Sequence, residues 1–439
     1  MRNNLVVLFF AFFVSLCSIG QNIDKAKLDS YFEVLEKNNK FMGSVAISHN
    51  GKIVYKNFVG FADVENKIAA NENSKYRIGS ISKTFTAVLV LKAIEENKIQ
   101  LNQTIESFFP TITNANKITI EHLLRHRSGI HNFTSDEDYL TWNTKPKSKE
   151  EMVKIITNAG SDFEPDSKAE YSNSNFVLLT YLLEEIYKQP YAQLITNRIT
   201  RPISLNNTYL GGKIDVAKNE TKSYTYYGDW KVESETDISI PLGAGGIVST
   251  PSDLVKFGDA LFNEKLLSKE SLDKMMSMKD NFGLGLFHFP FNAKMAYGHN
   301  GGIDGFLSTL THFPNEKITY ALTSNGINYD FNSISIAVLS EVFDVDYSIP
   351  TFKEYDILPE ELDQYLGLYS SKEFPLKITI TKENNVLYAQ ATGQSSFPLD
   401  AIDKHKFSFD LAGIVLSFNP DEHSLILEQG GGKYKFMKE

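Results

Sequence analysis

Apolar side chains recur every three to four positions over residues 24–40, placing Leu28, Tyr31, Phe32 and Leu35 on one face of a predicted helix. Residues 43–55 predict a β-hairpin turning at Asn50-Gly51, two residues that tolerate positive φ. From Ser80 to near Asn97 the apolar positions, Val88 to Leu91 among them, leave no polar face, which predicts a buried helix. Residues 121–129 predict a short helix ended by Gly129, and residues 176–187 a second apolar helix. The polar, aromatic stretches 131–149 and 221–240 lack a clear period and read as rim loops. Residues 243–254 read as a glycine-rich strand turning into a helix, with Thr250 as N-cap and Pro251 at the first helical position. Strand-like runs at 297–299, 305–312 and 318–324 precede a helix over 333–343.

The pattern changes after residue 345. Residues 346–359 contain Pro350 and Pro359 and read as a linker. Residues 360–439 predict strands at 376–381, 386–392, 406–409, 414–418, 424–427 and 434–437. Turns fall at Glu383-Asn384-Asn385, Asn419-Pro420-Asp421 and Gly430-Gly431-Gly432, a spacing that fits a small antiparallel barrel or sandwich. This tail has no catalytic motif. Two roles are open: a wall of the active-site cleft, which is the favoured one, or a tether for polymeric substrate.

Composition narrows the class. The 439 residues carry a net charge of −10, which argues against nonspecific nucleic-acid binding. Residues 1–20 read as a secretory signal peptide: Arg2 precedes an apolar run that ends in Ser18 and Gly20. Gln21 is then the first mature residue, and an uncleaved anchor is the other reading. The one cysteine, Cys17, lies in that segment, so a mature chain has no disulfide and no catalytic thiol. No other apolar run is long enough to span a membrane. The expectation is an exported protein, periplasmic or extracellular, with residues 21–345 as its main domain.

The chemistry concentrates at Ser80 and Lys83, three residues apart and therefore on one face where the buried helix begins. A neutral amine beside a serine hydroxyl can take its proton and make it a nucleophile. Free helix-start N–H groups can stabilise the oxyanion that follows. Such a pair is common by chance, and Ser271/Lys274 also matches. Order and context set the first pair apart. Ser80/Lys83, Tyr171/Asn173 and His299/Gly301 each sit where an apolar element meets a polar or glycine-rich segment. Plainer readings stand beside these: Ser80 as a helix N-cap, Tyr171 as a core tyrosine, Asn173 as an N-cap, His299 as a structural histidine. Arg125, His126, Arg127 and Ser128 read as structural.

With those motifs in order, the chain resembles the serine β-lactamase-related family of class C β-lactamases, D,D-peptidases, D-aminopeptidases and esterases. The resemblance spans about residues 22–345 and includes Tyr171-Ser172-Asn173 and Gly298-His299-Asn300-Gly301-Gly302. Tyr365-Leu366-Gly367-Leu368-Tyr369 resembles the β-rich domain often appended to such hydrolases. The implied fold is α/β and β-lactamase/transpeptidase-like: an antiparallel sheet flanked by helices, with a helical subdomain. The implied reaction is acylation of Ser80 by an amide or ester, then hydrolysis, as a peptidase, D,D-carboxypeptidase-like enzyme or esterase. A true β-lactamase is the alternative, and an inactive penicillin-binding sensor the second. Lys83 and Tyr171 would move the proton. Asn173 would orient Lys83 and the substrate amide. The N–H groups of Ser80 and Gly302 would form the oxyanion hole, and His299, on the Gly301 strand, would meet the substrate carboxylate or polar tail. Substrates are small molecules or peptides, cell-wall peptide among them, and no metal or cofactor is implied. Two departures stand out. His299 occupies the lysine position of efficient class C enzymes, and Asp166 stands where relatives usually carry glycine.

Overall fold

The computed structural model describes residues 23–353, 355–383 and 385–439. The proposed signal peptide, with Cys17, and the turn residue Asn384 lie outside the described residues. Among those described, no helix is long and apolar enough to cross a membrane.

An antiparallel sheet organises the main body. Its strand order is Phe287–Phe291, Lys294–Ile303, Phe306–Phe313, Ile318–Ile327, Phe41–His49 and Lys52–Val59. The hairpin turns at Asn50 and Gly51, both at positive φ. Strand Phe41–His49 is buried along almost its whole length, because both sheet faces are covered. On one face Phe41, Val45 and Ile47 pack with Leu28, Phe32 and Leu35 of helix Lys25–Lys37 and with Val338 of helix Phe331–Val342. On the other, Ala46 joins a larger core built on helices Ser82–Glu95, Asn173–Tyr187 and Pro251–Phe262.

Several local expectations change. The short helix is Ile120–Leu124 and stops before Gly129, capped by Arg125. Residues 243–246 are not strand: Leu242–Gly245 is one helical turn, and strand Ile247–Ser249 follows. Gly243 allows that turn to press on the buried core, since a Cβ there would lie 2.5 Å from Thr86 Oγ1. Thr250 does cap helix Pro251–Phe262, accepting from the Asp253 N–H at 3.2 Å. The residue 131–149 stretch is not a bare loop, because Phe133 is buried and packs edge-on against Tyr139. Asp166 sits at φ 66°, the left-handed region in which glycine is unstrained. Its carboxylate, pulled down to about 2 by Lys279 and Arg127, is held by both, which secures a turn that a non-glycine residue must strain to make.

The tail closes into an eight-stranded antiparallel barrel running from Gly367–Ser370 to Gly432–Lys438. It therefore is a barrel and not a sandwich, and closure leaves no unpaired edge. It contains two strands beyond the six expected, Gly367–Ser370 and Phe397–Asp403. Lys40, just before the first strand of the main sheet, pairs with Asp410 of the barrel at 2.8 Å.

Candidate active site

Strand Tyr76–Arg77 leads into a single 3₁₀ turn, Gly79–Ile81, and helix Ser82–Glu95 follows directly. Ser80 thus stands inside that turn, two residues before the helix that sequence alone would have it begin. Gly79, at φ 49°, lies flat against the Gly302 backbone: a Cβ there would come within 2.7 Å of the Gly302 nitrogen. This contact brings the Ser80 turn against strand Lys294–Ile303. Gly301 is equally constrained, since its Cβ would lie 2.1 Å from the Ile78 carbonyl oxygen. Gly301→Ala must push the strand away from the Ser80 turn. A displacement of about 1 Å costs on the order of 10²-fold in rate. We expect kcat/KM for an activated ester to fall by about that factor, with Tm lowered as well.

Lys83 is wholly buried, and its Nζ lies 3.0 Å from Ser80 Oγ, 2.7 Å from Asn173 Oδ1 and 2.7 Å from the Ala244 carbonyl. Tyr171 donates its hydroxyl proton to Ser80 Oγ at 2.7 Å. Burial pushes Lys83 well below its ordinary range and Tyr171 above its own, so both favour their neutral forms. A neutral amine has two N–H bonds and one lone pair. The two bonds reach Asn173 Oδ1 and the Ala244 carbonyl, which leaves the lone pair facing the Ser80 hydroxyl.

The orientation of Asn173 is fixed from behind. Its Nδ2 donates to Asn132 Oδ1 at 3.2 Å and Thr134 Oγ1 at 2.9 Å, so Oδ1 must face Lys83. Both amide hydrogens are thereby used, and none is left for a substrate amide. Asn173 is the first residue of its helix, and Ser172 occupies the N-cap position. The two partners, Asn132 and Thr134, belong to the stretch that sequence reading gave only as a rim loop; their short polar side chains beside Phe133 were the available signal. Ala244 contributes through its backbone and leaves no signal in the sequence. Behind Tyr171, His126 stacks on its ring at 4.4 Å and accepts from the Ser172 N–H at 3.1 Å. Burial, aided by nearby Lys83, keeps His126 neutral.

His299 is only 3 % exposed and packs edge-on against Phe287, 4.8 Å between ring centres. Its Nδ1 donates to the Asn300 carbonyl at 2.5 Å. Burial and Lys83 push its pKa down to about 3, so it carries no positive charge, and its Nε2 is buried without a hydrogen-bond partner among the described residues. Ser271 and Lys274 stand apart from all of this, with Lys274 paired to Glu270 at 2.8 Å on a surface helix.

The cleft above Ser80 has a volume of about 360 Å³, and among the described residues its lining falls between Ser80 and Asp304. No described barrel residue reaches it, which is at odds with the favoured role of the tail as a cleft wall. Its described lining holds two carboxylates, Asp304 and Glu233, and no lysine or arginine. Asp304 is neutralised by the buried Arg77, 2.9 Å away, and accepts from the Thr236 hydroxyl at 2.7 Å. Thr236 in turn accepts from Asn143 at 3.0 Å. This chain of bonds ties the strand before Ser80, the Asp304 turn and the 233–236 segment into one rigid floor. Glu233, half-buried and accepting from Thr225, is the charge that remains.

The fold, with a serine, a lysine and a tyrosine meeting at its cleft, is that of a serine hydrolase. A Beta-lactamase family model matches residues 29–336, and the chain belongs to that family. Among curated relatives, penicillin-binding protein 4* of Bacillus subtilis is 25 % identical, over 94 % of this chain and 98 % of its own. The teichoic acid D-alanine hydrolase of Staphylococcus aureus is 26 % identical, over 69 % of this chain and 74 % of its own. A D-stereospecific amidohydrolase from Streptomyces sp. superposes with a TM-score of 0.63 at 26 % identity, covering 72 % of this chain and 98 % of its own. The octameric penicillin-binding protein homologue of Pyrococcus abyssi shares the fold over 94 % of this chain and all of its own, with a TM-score of 0.69 at 23 % identity.

Proposed function

We propose that Ser80 is the nucleophile of an exported hydrolase that cleaves esters or amides of D-amino acids whose amino group is free. The observation that carries this reading is the placement of Ser80 Oγ between the Lys83 amine and the Tyr171 hydroxyl. Lys83 accepts the Ser80 proton as Oγ attacks the acyl carbon. The oxyanion is met by the N–H groups of Ser80 and Gly302. Tyr171, whose O–H already points at Ser80 Oγ, relays a proton to the leaving oxygen or nitrogen, and water then releases the acyl group. Burial favours the neutral, basic form of Lys83, and buried His126 and His299 are themselves neutral beside it.

Electrostatics narrows the substrate within the range of peptidase and esterase. Among the described residues neither His299 nor any lining residue presents a cation to a carboxylate, while Glu233 presents an anion. This favours a substrate with an ammonium group and disfavours β-lactams, which carry a carboxylate. The D-configuration comes from the names of the relatives, a teichoic acid D-alanine hydrolase and a D-stereospecific amidohydrolase. Those names also fit export to the cell envelope, where D-alanyl esters or cell-wall peptides would be the substrates.

The test compares D-alanine p-nitroanilide with its N-acetyl form. A hydrogen bond to a charged group contributes about 1.5–3 kcal/mol, or roughly 10- to 100-fold. The free amine should be preferred by about that ratio in kcat/KM, and Glu233→Gln should reduce the ratio. Equal rates for the two substrates overturn the ammonium reading. Failure of a fluorophosphonate to label Ser80, read by mass spectrometry, overturns the nucleophile.

A further inference from the structure

We propose that the open end of the C-terminal barrel is a binding site for a single aliphatic chain carrying an uncharged polar end. The barrel interior is divided along its axis. At one end Tyr365, Tyr369, Phe407 and Phe418 fill the lumen, with Tyr365 4.8 Å from Phe418 and 5.1 Å from Phe407. The Tyr365 hydroxyl is tied to His405 Nδ1 at 2.6 Å, which fixes this plug. At the other end the lumen stays open as a cavity of about 320 Å³. An apolar cavity of ~150 Å³ takes a benzene molecule, so this one admits something about twice as large.

The cavity exists because small residues stand where rings stand at the plugged end. Ala389, Ala391 and Ala412 form part of its wall. Ala389 and Ala391 follow Leu387 at alternate positions of strand Val386–Ala391, the inward side of the pleat. Ile378, Ile414, Leu416 and Leu427 line its depth, and Phe374, Phe397 and Phe409 its sides. Eight-stranded barrels have interiors that are either filled by side chains or hold one small ligand. This barrel does the first at one end and leaves room for the second at the other.

The wall chemistry selects the ligand. Among the described residues no charged side chain lines the cavity, and its polar side chains are the exposed amides of Gln394 and Gln429. An ionised head would lose its hydration there with no partner, whereas an ester, alcohol or amide can bond to a glutamine. Phe397 and Phe409 stack on each other at 4.5 Å, so these faces are already taken and cannot sandwich an aromatic ligand. A flexible alkyl chain fits the blind, aliphatic depth. The site is separate from the Ser80 cleft, to which the described barrel residues contribute no lining.

The experiment uses the full chain and a neutral aliphatic polyene probe, methyl cis-parinarate. Its fluorescence should rise on binding and be displaced by 1-monolauroylglycerol. Laurate should displace it at least 10-fold less well, and benzyl alcohol not at all at equal concentration. Ala391→Trp fills the cavity and should weaken probe binding at least 10-fold, with the circular dichroism spectrum unchanged. Ala412→Phe, at the opposite wall, is the second variant if the first lowers Tm sharply. Protein blocked at Ser80 by a fluorophosphonate should bind the probe as before. The proposal falls if there is no displaceable binding, if laurate competes as well as the glyceride, if a folded cavity-filling variant binds normally, or if the Ser80 label abolishes binding.

Discussion

Ser80→Ala is expected to lower kcat for any activated ester or amide by at least about 10⁴-fold, the scale seen when a nucleophile is removed from a working serine–base unit. Fluorophosphonate labelling should disappear with it. Stability should change little, because Lys83 keeps Asn173 Oδ1 and the Ala244 carbonyl as partners, and Ser80 is only half-buried. The measurement is single-turnover hydrolysis of p-nitrophenyl acetate, with a thermal melt as control. Ser271→Ala, in the second matching pair, should leave activity unchanged. A Ser80→Ala enzyme with wild-type turnover would dismiss the acyl-enzyme mechanism altogether.

Removal of either proton-transfer partner should be nearly as costly. Tyr171→Phe and Lys83→Met are each expected to lower kcat by about 10²–10⁴-fold. The double variant should lose little more than the worse single one, because both act on the same Ser80 proton. The pH profile separates the two roles. Lys83 works as a base only when neutral, so activity is present above its pKa and lost as pH falls through it. Burial places that pKa well below the ordinary lysine range, which brings the acid limb of kcat/KM below the pH at which a free lysine would titrate. Tyr171, pushed upward, stays protonated over the working range and contributes no acid limb. Tyr171→Phe should therefore keep the acid limb at reduced rate, while Lys83→Met should lose it. An acid limb that survives Lys83→Met would assign the base elsewhere.

Much of this was legible from the chain. Helix Ser82–Glu95 is apolar on every side because it lies at the centre of the larger core, and that pattern is visible without coordinates. The hairpin at Asn50-Gly51 and the Thr250-Pro251 helix start depend on local backbone preferences, so they too could be read locally. The two missed barrel strands have local causes. Gly367–Ser370 is short and begins at a glycine, and Phe397–Asp403 contains Pro398, a residue that argues against a strand.

Sequence by itself determined most of the elements, their order, and the Ser80, Lys83, Tyr171 and Asn173 side chains that meet at the site. It did so because hydrophobic period and turn chemistry act within a few residues, and because motif order is a property of the chain. Tertiary structure decided the rest. The basicity of Lys83 depends on burial by segments up to 161 positions away, as its bond to the Ala244 carbonyl shows. The facing of the Asn173 amide depends on Asn132 and Thr134, about 40 positions earlier. Whether His299 bears a charge depends on Phe287, Tyr171 and Lys83 around it, not on the glycines beside it. Whether the tail closes depends on two residue pairs, Tyr369 with Lys438 and Ser370 with Met437, between its first and last strands. Each of these is an interaction between parts of the chain that are distant in sequence, and only the fold brings them together.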